Sequence, residues 1–162
     1  AIPKPNSMPI LGLYLKAEVE NVESIEAGKD TIWSAFVQCT NCGERSANRV
    51  ELSPNDEVEV PDSRSTCNCL YKCKGCKRKI VINVVTDFPS QCTSFEEPGL
   101  IAKFEVKGAE LVDFQPDDSF RVHTPSGEVF DHVDLQEDFA DFDEKMGEPV
   151  SVMNVEWSFA KA

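Results

Sequence analysis

The sequence predicts an all-β protein, with a folded sheet, sandwich or pseudo-barrel built on an internal pseudo-twofold repeat and carrying a zinc-ribbon-like four-cysteine site. Three observations lead there. Apolar residues alternate with polar ones over short segments, the period of a half-buried strand. Helical periodicity is nearly absent. Two C-x-x-C pairs, CTNC at Cys39–Cys42 and CKGC at Cys73–Cys76, are separated by 30 residues, a spacing that suits one tetrahedral metal ion.

Residues 1–9, AIPKPNSMP, hold three prolines and no periodicity, and read as a flexible lead-in, part of it appended ahead of Met8 rather than native. A single zinc-binding β domain is expected over residues 10–162. Leu11, Leu13, Leu15, Ala17 and Val19 alternate in the first strand. Thr31–Gln38, β-branched and aromatic, reads as a strand that delivers Cys39. Shorter strands are expected at 57–60 and 65–72, and a buried one at 79–85. The run LIAKFEVKGAELVDFQP reads as the strand that restarts the pattern, and 129–135 and 149–159 as the closing strands. Between these two, the acidic QEDFADFDEKMGE reads as a loop or a single helical turn.

An offset of 87 places Leu13 on Leu100, Lys16 on Lys103, Glu18 on Glu105, Val19 on Val106, Glu23 on Glu110 and Asp30 on Asp117. This predicts two pseudo-repeat halves, about 10–95 and 96–162. The same offset carries Cys39 and Cys42 onto Ser126 and Val129, so the second half is expected to keep the scaffold without the thiols.

Cys39, Cys42, Cys73 and Cys76 are the expected metal ligands, holding one Zn²⁺ per chain. A two-residue spacer folds into a tight turn that sets both sulfurs on one side, and two such turns complete a tetrahedron. Gly43 follows the first pair where a positive φ is expected. Gly75 falls inside the second turn, a less standard place. Arg45, Lys72, Lys74, Lys77, Arg78 and Lys79 surround the thiols in sequence and would offset the −2 charge of a zinc tetrathiolate. The four ligands fill the site, which makes the metal structural and leaves no place for a reacting water.

Other constellations carry less chemistry. Cys67 and Cys69 read as thiols carried by a strand, with alternative metal ligation as the competing reading, and Cys92 as a free thiol. His123 and His132 have no metalloprotease context. Pairs such as Asp117 and Asp118, or Asp141, Asp143 and Glu144, carry little information among 29 acids. Phe139 and Phe142 are expected to pin the acidic segment to the sheet, and Trp33 and Trp157 to be core. No catalytic residues and no enzyme activity are expected.

Net charge is −13, which counts against general nucleic-acid binding. The charge is uneven: eight cations against six acids over 39–80, and three against fourteen over 105–148. No apolar run is long enough to cross a bilayer as a helix. Seven cysteines, an odd number with no N-x-Ser/Thr acceptor, point to an intracellular, cytoplasmic protein, with the nucleus as the alternative.

LKAEVENV, CTNCGE, CKGC, VDFQP at Val112–Pro116 and DLQEDFADFDEK at Asp134–Lys145 together resemble the eukaryotic CXXC-motif-containing zinc-binding proteins, from Leu11 onward. The resemblance implies a mostly β, pseudo-symmetric folded sheet with one zinc on Cys39, Cys42, Cys73 and Cys76, and no established catalysis. Cys67 and Cys69 lie outside that family's pattern. The expected function is a non-enzymatic zinc-binding protein, monomeric, acting on a protein partner that the sequence does not identify. The alternatives are thiol-based trafficking of zinc or copper and, less favoured, a nucleic-acid-binding zinc ribbon using Lys72–Lys79.

Overall fold

The computed structural model describes residues 9–61 and 63–162; the lead-in through residue 8 lies outside the described residues. Its strands are β1 Ile10–Glu20, β2 Ser24–Glu26, β3 Trp33–Cys39, β4 Val50–Leu52, β5 Val58–Glu59, β6 Thr66–Cys67, β7 Cys69–Lys72 and β8 Lys79–Val84. They continue with β9 Gln91–Cys92, β10 Gly99–Val106, β11 Ala109–Gln115, β12 Phe120–His123, β13 Val129–Val133, β14 Phe139–Asp143 and β15 Glu148–Lys161. No helix occurs among the described residues.

The alternation seen in β1 works as expected: Leu13 and Leu15 are fully buried and Ala17 nearly so, while Lys16 and Glu18 face solvent. Such a strand needs a partner on each edge. β1 has β15 on one side, from Leu11↔Lys161 to Glu20↔Ser151, and β10 on the other, from Ile10↔Glu105 to Leu15↔Gly99. A bulge between Lys16 and Glu18 releases the Ala17 amide, which donates to Phe95 O at 3.1 Å.

The central sheet runs β14-β15-β1-β10-β8-β7, and the order is a palindrome. Each half supplies one long inner strand and one hairpin, with β14-β15 answering β7-β8. The smaller sheets follow the same rule. β3 pairs with β11 and β4, while β12 pairs with β2 and β13. Exchanging β1 with β10, β2 with β11 and β3 with β12 therefore maps these pairings onto one another, with β2–β9 and β5–β6 left as additions of the first half.

Three differences from the sequence expectation have local causes. The run from 99 to 115 is two strands, because Gly108 takes φ +84° and redirects the chain from the central sheet to β3. The 65–72 run breaks at Asn68, whose side chain accepts from the Val84 amide at 2.7 Å and donates to Asp56 O at 2.9 Å in place of a ladder. The acidic segment contains a true strand, β14, formed by pairing with β15 from Phe139↔Val152 to Asp143↔Glu148; its burial does not alternate, because the acids at 141 and 143 face solvent and interior respectively.

The sheets meet on aromatic side chains. Trp33 stands edge-on to Phe104 at 5.8 Å and to Phe120 at 6.0 Å, and Phe114 stands edge-on to Trp157 at 4.8 Å. Such pairs add about 0.5–1.5 kcal/mol each beyond area burial. Trp33 is core as expected, whereas Trp157 is only partly buried.

Candidate metal centre

β3 ends at Cys39, the last of its inward-facing residues, and the chain then turns tightly: the Cys39 amide donates to Glu44 O and the Gly43 amide to Cys39 O, both at 2.9 Å. Gly43 takes φ +80°, as its place after the pair requires. The β7–β8 hairpin makes the second turn in the same way. The Cys73 amide donates to Arg78 O and the Lys77 amide to Cys73 O, again at 2.9 Å, with Lys77 at φ +64° in the place of a glycine.

These turns bring the four predicted cysteines together, every Sγ within 4.8 Å of the others. Cys39 and Cys76 approach to 3.6 Å, and Cys42 and Cys73 to 3.4 Å. A zinc tetrathiolate with Zn–S near 2.3 Å has sulfurs about 3.8 Å apart, so the two short pairs open by a few tenths of an ångström and the wider ones close by no more than about 1 Å on such an ion. The donor set, four soft sulfurs and no carboxylate, suits zinc. Cys39 and Cys73 are buried, Cys76 is partly buried and Cys42 is exposed, so the centre sits at the surface with one wet edge.

Gly75 has its explanation here. A Cβ at this position would collide with the Glu44 carboxylate and stand 3.1 Å from Cys42 Sγ. Its absence lets the two turns close face to face. Backbone and side-chain donors also sort the thiols electrostatically. Donation from the Asn41 side chain and the Arg78 amide brings Cys76 down to about 6. Cys42 receives the Glu44 amide, which lowers it, but hydrogen bonding to Cys73, desolvation and the neighbouring thiols carry it up to about 11.

Arg45 does not serve the thiols as the sequence suggested. It is held by Asp113 at 3.0 Å, with its guanidinium over the Phe36 ring. Cys67 and Cys69 also lie outside the four-sulfur group. They sit on two short strands rather than one, and the Cys67 thiol donates to Cys69 O at 3.3 Å. Cys92 is buried, its thiol pushed up to about 11 by desolvation and directed at Gly99 O. His123 contacts Glu26 at 2.8 Å, and His132 is exposed. Asp117 acts in a turn, accepting from the Ile32 and Ser119 amides. Phe139 packs on Phe130 as an anchor, but Phe142 is 49% exposed and pins nothing.

The palindrome extends to the turns. After β12 the Thr124 amide donates to Glu128 O and the Gly127 amide to Thr124 O, with Gly127 at φ +91°. Between β14 and β15 the Gly147 amide donates to Asp143 O, with Gly147 at φ +67°. Thr124, Ser126 and Glu128 thus stand where the first half has Cys39, Cys42 and Glu44, and Asp143 stands where it has Cys73. The 87-residue offset points instead to Ser126 and Val129. The chain from Asp117 to this turn is two residues shorter than that from Asp30 to Cys39, which moves Thr124 to 85 positions after Cys39. Thr124 and Ser126 each donate to Asp143 Oδ2 at 2.6 Å, and the Lys145 and Met146 amides donate to Oδ1 at 2.9 and 3.1 Å. A fully satisfied carboxylate closes the second pair of turns. No spacing rule in the sequence could have found it, because Thr, Ser and Asp lack the signature of a cysteine pair.

Fold and site together define an all-β protein with a four-thiol metal centre formed by two C-x-x-C turns. A family profile described as CXXC motif containing zinc binding protein, eukaryotic, matches residues 12–160. The chain belongs to that zinc-binding family. The CXXC motif containing zinc binding protein of Homo sapiens is 34% identical over 156 residues, covering 93% of this chain and 98% of its own length. A UPF0587 protein of Schizosaccharomyces pombe is 32% identical over 154 residues, covering 93% and 97%. The crystal structure of C1orf123 superposes with a TM-score of 0.85 at 34% identity, over 94% of this chain and 99% of that one.

Proposed function

We propose that the protein is a non-enzymatic zinc-binding protein in which Cys39, Cys42, Cys73 and Cys76 hold one Zn²⁺ as a structural staple and the folded surface acts on a protein partner. The convergence of four thiols from two turns far apart in sequence carries this reading. Four protein donors complete a tetrahedral site without an open position, and closing it ties β3 to the β7–β8 hairpin. Binding free energies of about 10–16 kcal/mol for structural zinc are large against the stability of a domain this size.

A second reading, transfer of zinc or copper to a partner, is favoured by one observation: Cys42 is exposed, which offers an incoming thiol an edge to attack. Elemental analysis of protein purified without added metal, with melts before and after a strong chelator, separates the two. One zinc per chain that leaves only as the fold is lost supports the staple. Metal that exchanges readily from an intact fold overturns it in favour of transfer. The partner is tested by crosslinking the zinc-loaded chain in cell extract; the absence of any defined protein adduct counts against the interaction reading.

A further inference from the structure

Beside the second cysteine turn lies a groove of about 550 Å³, lined on its charged side by Arg78, Lys79 and Lys107 and containing no carboxylate among its described lining residues. All three cations are exposed, and none takes part in an ion pair among the described residues. This is unexpected in a chain with 29 acids against 16 cations.

The zinc tetrathiolate accounts for only part of this charge. It contributes −2, whereas the segment from Lys72 to Lys79 alone holds five cations, and Lys107 adds a sixth from the turn before β11. Lys72 and Lys79 are direct cross-strand partners on β7 and β8, an arrangement in which like charges destabilise the hairpin. Among the described residues neither lysine is answered by an ion pair.

The groove is also shaped. Gly108, at φ +84°, leaves room for the Arg78 side chain: a Cβ there would stand 3.3 Å from Nη1 and 3.4 Å from Cδ. The arginine stem therefore lies along the turn between β10 and β11, where its guanidinium reaches the groove. Ser65 and Thr66 add hydroxyls to its lining, and Val60 and Val81 supply its apolar surface.

We propose that this groove docks an acidic segment of the partner protein, with carboxylates on Arg78, Lys79 and Lys107 and an intervening apolar side chain against Val60 and Val81. The inference rests on the protein-interaction reading above. A peptide is favoured over nucleic acid because the basic surface is one local groove on a molecule of net charge −13, which repels a long polyanion beyond it.

The test uses the zinc-loaded full chain and fluorescence anisotropy of a fluorescein-labelled peptide alternating Glu with Leu, its Gln-for-Glu counterpart as control. The acidic peptide is expected to bind and the Gln peptide not. Arg78→Gln/Lys107→Gln should weaken binding by about tenfold or more, and Lys145→Gln on the acidic side should not. Zinc content and melting temperature, measured on each variant, separate loss of the groove from loss of the fold. Lack of binding by the wild type, unchanged binding by the double variant, or equal competition by a DNA oligonucleotide of matched charge would each overturn the proposal. If the wild type ignores the peptide yet still crosslinks a defined protein in extract, the groove is wrong and the interaction reading stands.

Discussion

Ser126 donates to Asp143 Oδ2 across 2.6 Å in the position where the other half of the molecule sets Cys42 Sγ against Cys73 Sγ at 3.4 Å. One pair of turns is built to be closed by a metal ion and its counterpart by a buried carboxylate, on corresponding backbone hydrogen bonds that close the Thr124 turn one residue tighter than the Cys39 turn. The two closures respond to different chemical insults, and this separates their tests.

Removing a thiol should act on the whole domain. Cys39→Ser or Cys76→Ser is expected to lose zinc and to lower the melting temperature of the entire cooperative transition, because the centre joins β3 to the β7–β8 hairpin. Cys67→Ser and Cys69→Ser should retain one zinc per chain. An unchanged melt in Cys76→Ser, or metal loss in Cys69→Ser, would contradict the assignment.

The carboxylate closure should fail without touching the metal. Asp143→Ala strands the Thr124 and Ser126 hydroxyls and two amides, so its melting temperature should fall well below that of Asp141→Ala, whose side chain is exposed, with zinc content unchanged in both.

The same turns predict an unusual dependence on pH. Hydrogen bonding to Asp143, with burial, raises Glu128 above its ordinary 4.5, and its Oε2 is buried without a donor. Its contribution is therefore fully present below 4.5 and is lost as pH rises through the raised value. Burial works against ionisation of Asp143, but donation from Ser126, Thr124 and the Met146 amide outweighs it and holds that carboxyl below its ordinary 3.8, so its contribution disappears only in strong acid. The groups facing this pair are Glu144 and the two carboxyls themselves, with no cation among those that shift Glu128. Glu128→Gln should raise the melting temperature at neutral pH, and its advantage over wild type should shrink as the pH approaches 4.5. A constant difference across that range would refute the raised Glu128 carboxyl.

Gly75→Ala should destabilise the zinc-loaded chain modestly, by about 1 kcal/mol, because the new methyl presses on Cys42 Sγ while the exposed Glu44 carboxylate can swing aside. Glu44→Ala in the same chain should recover little of that loss. Chemical denaturation of the four proteins in the cycle measures the coupling, and full recovery would show that the carboxylate, and not the sulfur, is the obstacle.

Much of this was legible in the sequence. The alternation of Leu13, Leu15 and Ala17, the cysteine spacing and the glycine at 43 state physical requirements directly. The strands at 24–26, 50–52, 91–92 and 120–123 were not legible, because two to four residues carry too little periodicity. Gly75 stands out in the sequence without a visible reason, since that reason is a side chain 31 positions away. Asp143 is inconspicuous on related grounds: an acid surrounded by acids looks solvated until its donors, 17 and 19 residues upstream, are placed beside it.

The pairing of β15 with β1 has one more consequence. The Ala162 amide donates to Ile10 O at 3.1 Å, so the chain leaves the sheet beside the point where it entered. Topologically the domain is a ring opened at that seam. A short linker across it, with new ends cut at the exposed Glu96–Glu97 bend, should give a circular permutant with the same sheets, the same zinc centre and a different order of synthesis.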